Sequence, residues 1–117
     1  MFDFEKLDIY QHLNRLSVDI LKFMAEDIAI DVYYKKQLKE AILKSLYHLT
    51  ESTGRMEITD KKNFIVSSRC AIFECVAILH VIDGVFNLAP DKYEDFYDRM
   101  TSASKMLLAM YRSFERK

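Results

Sequence analysis

Glycine and proline are scarce in this chain, which has two glycines and one proline among its 117 residues. A β-rich domain needs turn-forming residues about every ten positions, so this scarcity favours long helices joined by few connections. The composition, 50% hydrophobic and 30% charged, is typical of globular proteins. At this length the chain is expected to form one domain, residues 1–117, around a single core.

Apolar residues recur at alternating spacings of three and four, the pattern of helices that bury one face. The pattern predicts four helices, at about residues 7–27, 32–53, 60–83 and 90–115. Asp31 and Thr59 are candidate N-caps, and Pro90 suits the first turn of the fourth helix. Gly54 is expected as the left-handed residue that closes the second helix, and Gly84 is expected at the end of the third. Four helices with short connections predict an all-α, up-down-up-down antiparallel four-helix bundle.

The second and third helices form the central hairpin of this expected bundle. Small residues lie near the middle of the third helix, at Ser67, Ser68, Cys70 and Ala71. Because small side chains let two helices approach closely, we expect tight packing at this point.

The cysteines and the N-terminus indicate a cytoplasmic protein. Cys70 and Cys75 lie roughly 140° apart around a helix, so we expect two free core thiols, as in a reducing compartment. No apolar run approaches the ~18 residues that span a membrane. The start, Met1 to Glu5, is acidic and aromatic, unlike a targeting peptide. No membrane partner is therefore expected.

Glu51 and Glu74 are the first candidates for chemistry, because carboxylates on apolar helical faces are costly unless they are paired. Di-iron bundles need two Glu-x-x-His pairs, and this sequence has only a single His-x-x-Glu, at His48 and Glu51. Neither a Cys-x-x-Cys pair nor a glycine-rich phosphate loop is present. We therefore expect no enzyme activity, metal or cofactor, and expect the glutamates to pair with Arg55, Arg69 or a neighbouring helix.

Positive charge concentrates between the second helix and the early third helix. The candidate nucleic-acid contacts are Lys35, Lys36, Lys39, Lys44, Arg55, Lys61, Lys62 and Arg69. Acidic residues concentrate instead in the N-terminal lead and between Asp83 and Asp98, so an assembled ring could present a basic surface to RNA or DNA phosphates. The alternative is a solvated helix face balanced by nearby acids, in keeping with the net charge of −1.

The apolar content exceeds what one small core needs. The surplus residues are Leu43, Leu46, Tyr47, Ile65, Ile72, Val76 and Leu79, with the tyrosines of the second and fourth helices. Uncovered apolar patches normally mark interfaces, so a homo-oligomer is expected. The alternative is a wide apolar stripe inside a tight bundle.

Several residues also fit the motif of a known family. They are Phe4, Leu7 and Tyr10-Gln11; then Gln37, Ala41, His48 to Ser52 and Gly54-Arg55; then Phe64, Ser68 to Ala71 and Glu74. In spacing the chain resembles, over essentially its whole length, the four-helix-bundle proteins encoded in intervening sequences of bacterial 23S ribosomal RNA. It resembles a divergent member, with His48 in place of the usual Asn, Ser52 in place of Gly, and Cys70-Ala71 in place of Gly-Ser.

The resemblance implies a four-helix bundle that assembles as a homopentamer and whose biochemical role is mostly unassigned. A related bundle is an accessory subunit of a retroelement reverse transcriptase and binds nucleic acid. We therefore expect a non-enzymatic, self-assembling module with RNA or DNA as its leading partner. The alternative is a protein-binding scaffold without nucleic acid, and an enzyme or metalloprotein comes third.

Overall fold

The computed structural model describes residues 1–115, and this part of the chain contains helices and no strand. A 3₁₀ turn at Asp3–Lys6 leads into four helices: α1 (Asp8–Glu26), α2 (Val32–Gly54), α3 (Ile58–Phe86) and α4 (Pro90–Glu115). The predicted all-α class is confirmed. α3 is the longest helix, with 29 residues.

Side-chain contacts between helices show that neighbouring helices run antiparallel. Between α2 and α3 they join Ser45 to Ser68 and Ser52 to Lys61. Between α3 and α4 they join Arg69 to Ser104 and Lys62 to Glu115. Between α1 and α4 they join Asp19 to Arg99 and Phe23 to Phe96. Residue numbers rise on one helix as they fall on the other. In the described residues α1 and α3 each contact α2 and α4, whereas the diagonal pairs make no backbone contact. The predicted up-down-up-down bundle is confirmed.

One apolar core runs through the centre of the bundle. Its fully buried side chains include Leu13, Leu16, Ile20, Leu38, Ile42, Leu49, Ile65, Ile72, Leu79, Ile82, Phe96 and Met100. Each helix supplies a stripe at spacings of three and four, because those positions share one face of a helix. Four of the residues predicted as surplus, Leu46, Ile65, Ile72 and Leu79, are buried and belong to this core.

Buried serines hold α2 against α3. The Ser68 hydroxyl donates to the Ser45 carbonyl at 2.7 Å, and the two hydroxyl oxygens lie 3.1 Å apart. Both serines are fully buried, so these hydrogen bonds satisfy groups that water does not reach. Close packing at the predicted small residues is correct for Ser68 and Ala71, which are buried. It is wrong for Ser67 and Cys70, which are exposed because they lie on the outer side of α3.

Helix ends follow some of the predicted caps and not others. The Asp31 carboxylate accepts the Tyr33 N–H at 2.8 Å and caps α2, and α4 begins at Pro90, both as predicted. Thr59 is not a cap, because α3 begins at Ile58, two residues before the predicted start, and Thr59 lies inside the helix.

Neither glycine ends a helix in the left-handed conformation, contrary to prediction. Gly54 is the last helical residue of α2, and Gly84 lies inside α3. The residue with positive φ among those described is Asn87, at φ 54°, beyond the end of α3. The Asp83 carboxylate accepts the Leu88 N–H at 3.2 Å, so Asp83 and Asn87 together terminate the helix beyond the glycine.

Among the helices in residues 1–115, α3 alone has the length and composition expected of a membrane-spanning helix. Its mean hydropathy is 1.8 over 18 residues, so the expectation that no segment approaches this threshold is wrong. By itself one such helix is weak evidence for a membrane span, because core helices of bundles meet the same criterion.

Candidate functional site

Two of the predicted nucleic-acid contacts stabilise the ends of helices. The Lys35 ammonium donates to the Asp27 carbonyl, just beyond the end of α1. The Lys61 ammonium donates to the carbonyls of Ser52 and Thr53, at 3.4 and 3.2 Å, in the last turn of α2. A cation is favourable at these positions because the last carbonyls of a helix lack intrahelical partners and carry partial negative charge.

Four further basic residues also have partners inside the chain. Lys44 lies 3.3 Å from Glu74 and Lys62 lies 3.8 Å from Glu115, pairs that join α2 to α3 and α3 to α4. The Arg69 Nε donates to the Ser104 carbonyl at 3.1 Å.

Lys36, the fourth basic residue with a partner inside the chain, lies 3.9 Å from Glu40 in a loose pair on the surface of α2. The predicted basic residues also spread over the length of the bundle, since Lys35 and Arg55 are separated by about 30 Å of helical rise. The fold therefore distributes them rather than bringing them into one cluster. Nucleic-acid contact by these residues stays a prediction.

The two glutamates singled out from the sequence lie far apart. Glu74 pairs with Lys44 of the neighbouring helix α2, which is one of the expected arrangements. Glu51 is exposed near the other end of α2, about 18 Å along the bundle from the level of Glu74. The two carboxylates therefore cannot act on one bound group.

The arginines expected to pair with these glutamates instead cover aromatic rings. The Arg55 guanidinium lies 4.5 Å from the centre of the Phe64 ring, and that of Arg69 lies 4.8 Å from the centre of Phe73. Of the other family-motif residues, Gln37 donates to the Tyr33 hydroxyl at 2.7 Å and Ala41 is buried in the core. These residues have structural roles in the fold.

His48 has an unusual environment. Its Nδ1 is buried without a hydrogen-bond partner in the described residues, and its ring centre lies 5.8 Å from that of Phe64. No group of three or more His, Cys, Asp or Glu side chains in residues 1–115 is placed to hold a metal ion. His48 and Glu51 thus remain a pair of possible ligands without a third.

Apolar side chains are exposed on α3, although they are not the ones predicted from the sequence. Val66, Phe73 and Val81 are 45%, 56% and 49% exposed and project within about 80° of one another around the helix. The exposed Cys70 and Ala77 lie between them on the same face. The available sequence signal was that α3 is apolar on nearly every side, so that one face is left over once the core is filled.

A groove between α3 and α4 adjoins this face, and we call it the α3–α4 groove. It has a volume of about 240 Å³ and is lined mainly by Ile65, Val66, Cys70, Phe73, Leu108 and Tyr111. Arg69 lies at its wall, and the Lys62 ammonium lies 4.9 Å from the centre of the Tyr111 ring. A smaller hollow of about 170 Å³ continues from Phe73 toward Met100.

A second exposed apolar element lies at the turn between α1 and α2, which we call the 27–33 turn. Ile28 is 97% exposed and Val32 is 75% exposed. The Asp27 carboxylate accepts the N–H groups of Ala29 and Ile30, at 2.8 and 3.1 Å, and so fixes the backbone around Ile28. The sequence signal was an isoleucine in a stretch where the helical periodicity stops.

The two cysteines lie in different environments. Cys75 is fully buried, and burial followed by the nearby Glu74 charge raises the pKa of its thiol to about 12. Cys70 is exposed in the α3–α4 groove. The prediction of two core thiols is therefore correct for Cys75 and wrong for Cys70, which faces outward from α3.

The described residues thus define an all-α four-helix-bundle protein whose most prominent surface features are apolar. Comparisons of the sequence with protein-family models and with curated proteins find no match. A similar solved structure is that of a protein of unknown function from the S23 ribosomal protein family, from Bacteroides thetaiotaomicron VPI-5482. Its TM-score is 0.80 at 16% identity, over 88% of this chain and 97% of that chain. At this identity the likeness establishes the shared fold alone.

Proposed function

We propose that this protein is a non-enzymatic module that assembles with copies of itself. The observation that carries the proposal is the exposed apolar face of α3, formed by Val66, Phe73 and Val81. Contiguous apolar surface left uncovered on a folded chain normally marks an interface, because burying it removes the cost of its hydration. Assembly also accounts for an α3 that is apolar on more sides than one core requires.

We further propose a distant relation to the S23-family neighbour, and that the chain is a divergent member of the intervening-sequence family that it resembles. The TM-score of 0.80 over most of both chains supports the relation. On that resemblance the assembly is a pentamer. We also propose, from the sequence alone, that it is cytoplasmic and has no membrane partner.

Light scattering on a sizing column tests the assembly directly. A pentamer has five times the 13.8 kDa mass of one chain. The matched comparison is a Phe73→Glu variant, which places a charge on the apolar face and is expected to shift the mass toward that of a monomer. A wild-type chain that stays monomeric at tens of micromolar would overturn the proposal.

The second candidate function is association with RNA or DNA. It is supported by Lys36, whose side chain is 72% exposed, and by Lys39, which forms no ion pair within residues 1–115. Phosphate contacts release counterions, so binding through these lysines should weaken steeply as salt rises. A titration with generic RNA and DNA at two salt concentrations, repeated with Lys36→Glu and Lys39→Glu, checks this.

If nucleic-acid binding is absent, or if neither substitution weakens it, the protein-binding scaffold is favoured over the nucleic-acid function. The matched control is Lys105→Glu, which removes an exposed lysine on α4 outside the predicted set.

A further inference from the structure

We propose that the 27–33 turn of one copy inserts Ile28 and Val32 into the α3–α4 groove of a second copy. This contact deepens the proposed function and rests on the proposed self-assembly. The occupant of the groove is therefore another molecule of this chain.

The 27–33 turn is built to project an apolar side chain. Ile28 is 97% exposed, yet its backbone is held by the Asp27 carboxylate on one side and by the Asp31 cap on the other. The Lys35 ammonium adds a further tie to the Asp27 carbonyl. A side chain presented on a fixed turn loses little conformational freedom when it binds, so the contact has a low entropic cost.

The α3–α4 groove is large enough for this side chain. Its volume is about 240 Å³, whereas an apolar cavity of roughly 150 Å³ accommodates benzene, which has more carbon atoms than an isoleucine side chain. The remaining room suits part of Val32. The walls are aliphatic and aromatic, with Phe73 and Tyr111 among them.

The charges beside the two elements are complementary. The stretch from Glu26 to Tyr33 contains Glu26, Asp27 and Asp31 and no basic residue. The groove carries Arg69 at its wall and Lys62 beside Tyr111, with Lys62 partly balanced by Glu115. Within the described residues the Arg69 terminal amino groups make no hydrogen bond, since only Nε donates, to Ser104. They are available to an approaching carboxylate.

The fold places the two elements where one chain cannot join them. The turn connects α1 to α2 at the end of the bundle marked by the Tyr34–Phe86 ring contact. The groove lies on the opposite side, between α3 and α4, and α3 rises about 26 Å from Arg69 to Phe86. Each copy therefore offers one turn and one groove in a head-to-tail contact, which closes into a ring when the rotation between copies allows it.

The first test removes one half of the contact at a time. Ile28→Asp disables the turn, with Met56→Asp as control because Met56 is 94% exposed outside both elements. Val66→Glu disables the groove, with Val18→Glu on α1 as control. We expect Ile28→Asp and Val66→Glu to raise the dissociation constant of assembly by roughly 30-fold or more, and the controls to leave it unchanged. Thermal melting verifies that each variant folds.

The second test mixes the two disabled variants. The Ile28→Asp chain keeps an intact groove and the Val66→Glu chain keeps an intact turn, so the mixture should form a heterodimer although each variant alone is monomeric. A mixture of folded variants that stays monomeric overturns the proposal, as does an Ile28→Asp chain that assembles like wild type. In the latter case self-assembly itself stands, whereas a monomeric wild type would overturn both.

Discussion

Replacing Gly84 by alanine tests where α3 ends, because a helix that ends at Gly84 and one that ends near Asn87 predict changes of opposite sign in the free energy of unfolding. If α3 ended at Gly84, as the sequence predicts, and Gly84 took the left-handed conformation common at helix ends, alanine would cost about 1 kcal/mol or more. In the structure Gly84 is helical and Asn87 takes the left-handed position. A Cβ added at Gly84 meets nothing within 4 Å. Alanine is then expected to stabilise the fold by about 1 kcal/mol, because glycine loses more backbone freedom in a helix.

The size of the effect can be converted into a melting temperature. An unfolding entropy of about 2.1 cal/mol/K per residue over the 117 residues makes 1 kcal/mol equivalent to about 4 °C. Thermal denaturation followed by circular dichroism should show that increase for Gly84→Ala. It should show a similar decrease for Asn87→Ala and little change for Asn87→Gly. A lower melting temperature for Gly84→Ala would refute the position of the helix end.

Three further outcomes follow from buried and capping contacts. Ser68→Ala should lower the free energy of unfolding by about 1–2 kcal/mol in a urea titration, because its buried serine partner loses a hydrogen bond, whereas the exposed Ser67→Ala should raise it by about 0.5 kcal/mol, because alanine is the better helix former. Asp31→Ala should cost about 1 kcal/mol in the same assay by removing the α2 cap, and an unchanged midpoint would contradict that role. In the folded Ile28→Asp variant at pH 8, whose groove has no occupant, a thiol reagent should modify Cys70 quickly and leave Cys75 unmodified, because burial raises the Cys75 pKa to about 12, and urea should expose both. Fast modification of both thiols in the folded state would contradict the burial of Cys75.

The sequence was sufficient for the helices and their order because apolar periodicity reports burial directly. Positions such as Leu38, Ile42 and Leu49 repeat at spacings of three and four and are all fully buried. Helix ends were harder to predict because several residues compete for each end. Gly84 was the obvious candidate, but Asp83 and Asn87 supply a hydrogen bond and a left-handed residue slightly farther along.

Surface features were predicted less well, because periodicity does not show which side of an apolar helix the neighbours cover. α3 has apolar residues nearly all round, so Ile65, Ile72 and Leu79 looked as available as Val66, Phe73 and Val81. α2 and α4 bury the first set and leave the second set in solvent. The α3–α4 groove and the 27–33 turn depend on this three-dimensional arrangement and have no motif of their own.

The basic residues show how helix ends and surface charge are connected in this fold. Gly54 stays helical, so α2 has no left-handed cap. The Ser52 carbonyl accepts the Arg55 N–H, and the Lys61 ammonium donates to the carbonyls of Ser52 and Thr53. The Lys61 ammonium is therefore already bound to the end of α2 and would have to leave it to contact a phosphate. Charge reversal at Lys61 would lower stability whether or not nucleic acid binds. Lys36 and Lys39 are therefore the informative positions for the nucleic-acid titration. The surface that finds no partner within the described chain is the exposed apolar face of α3.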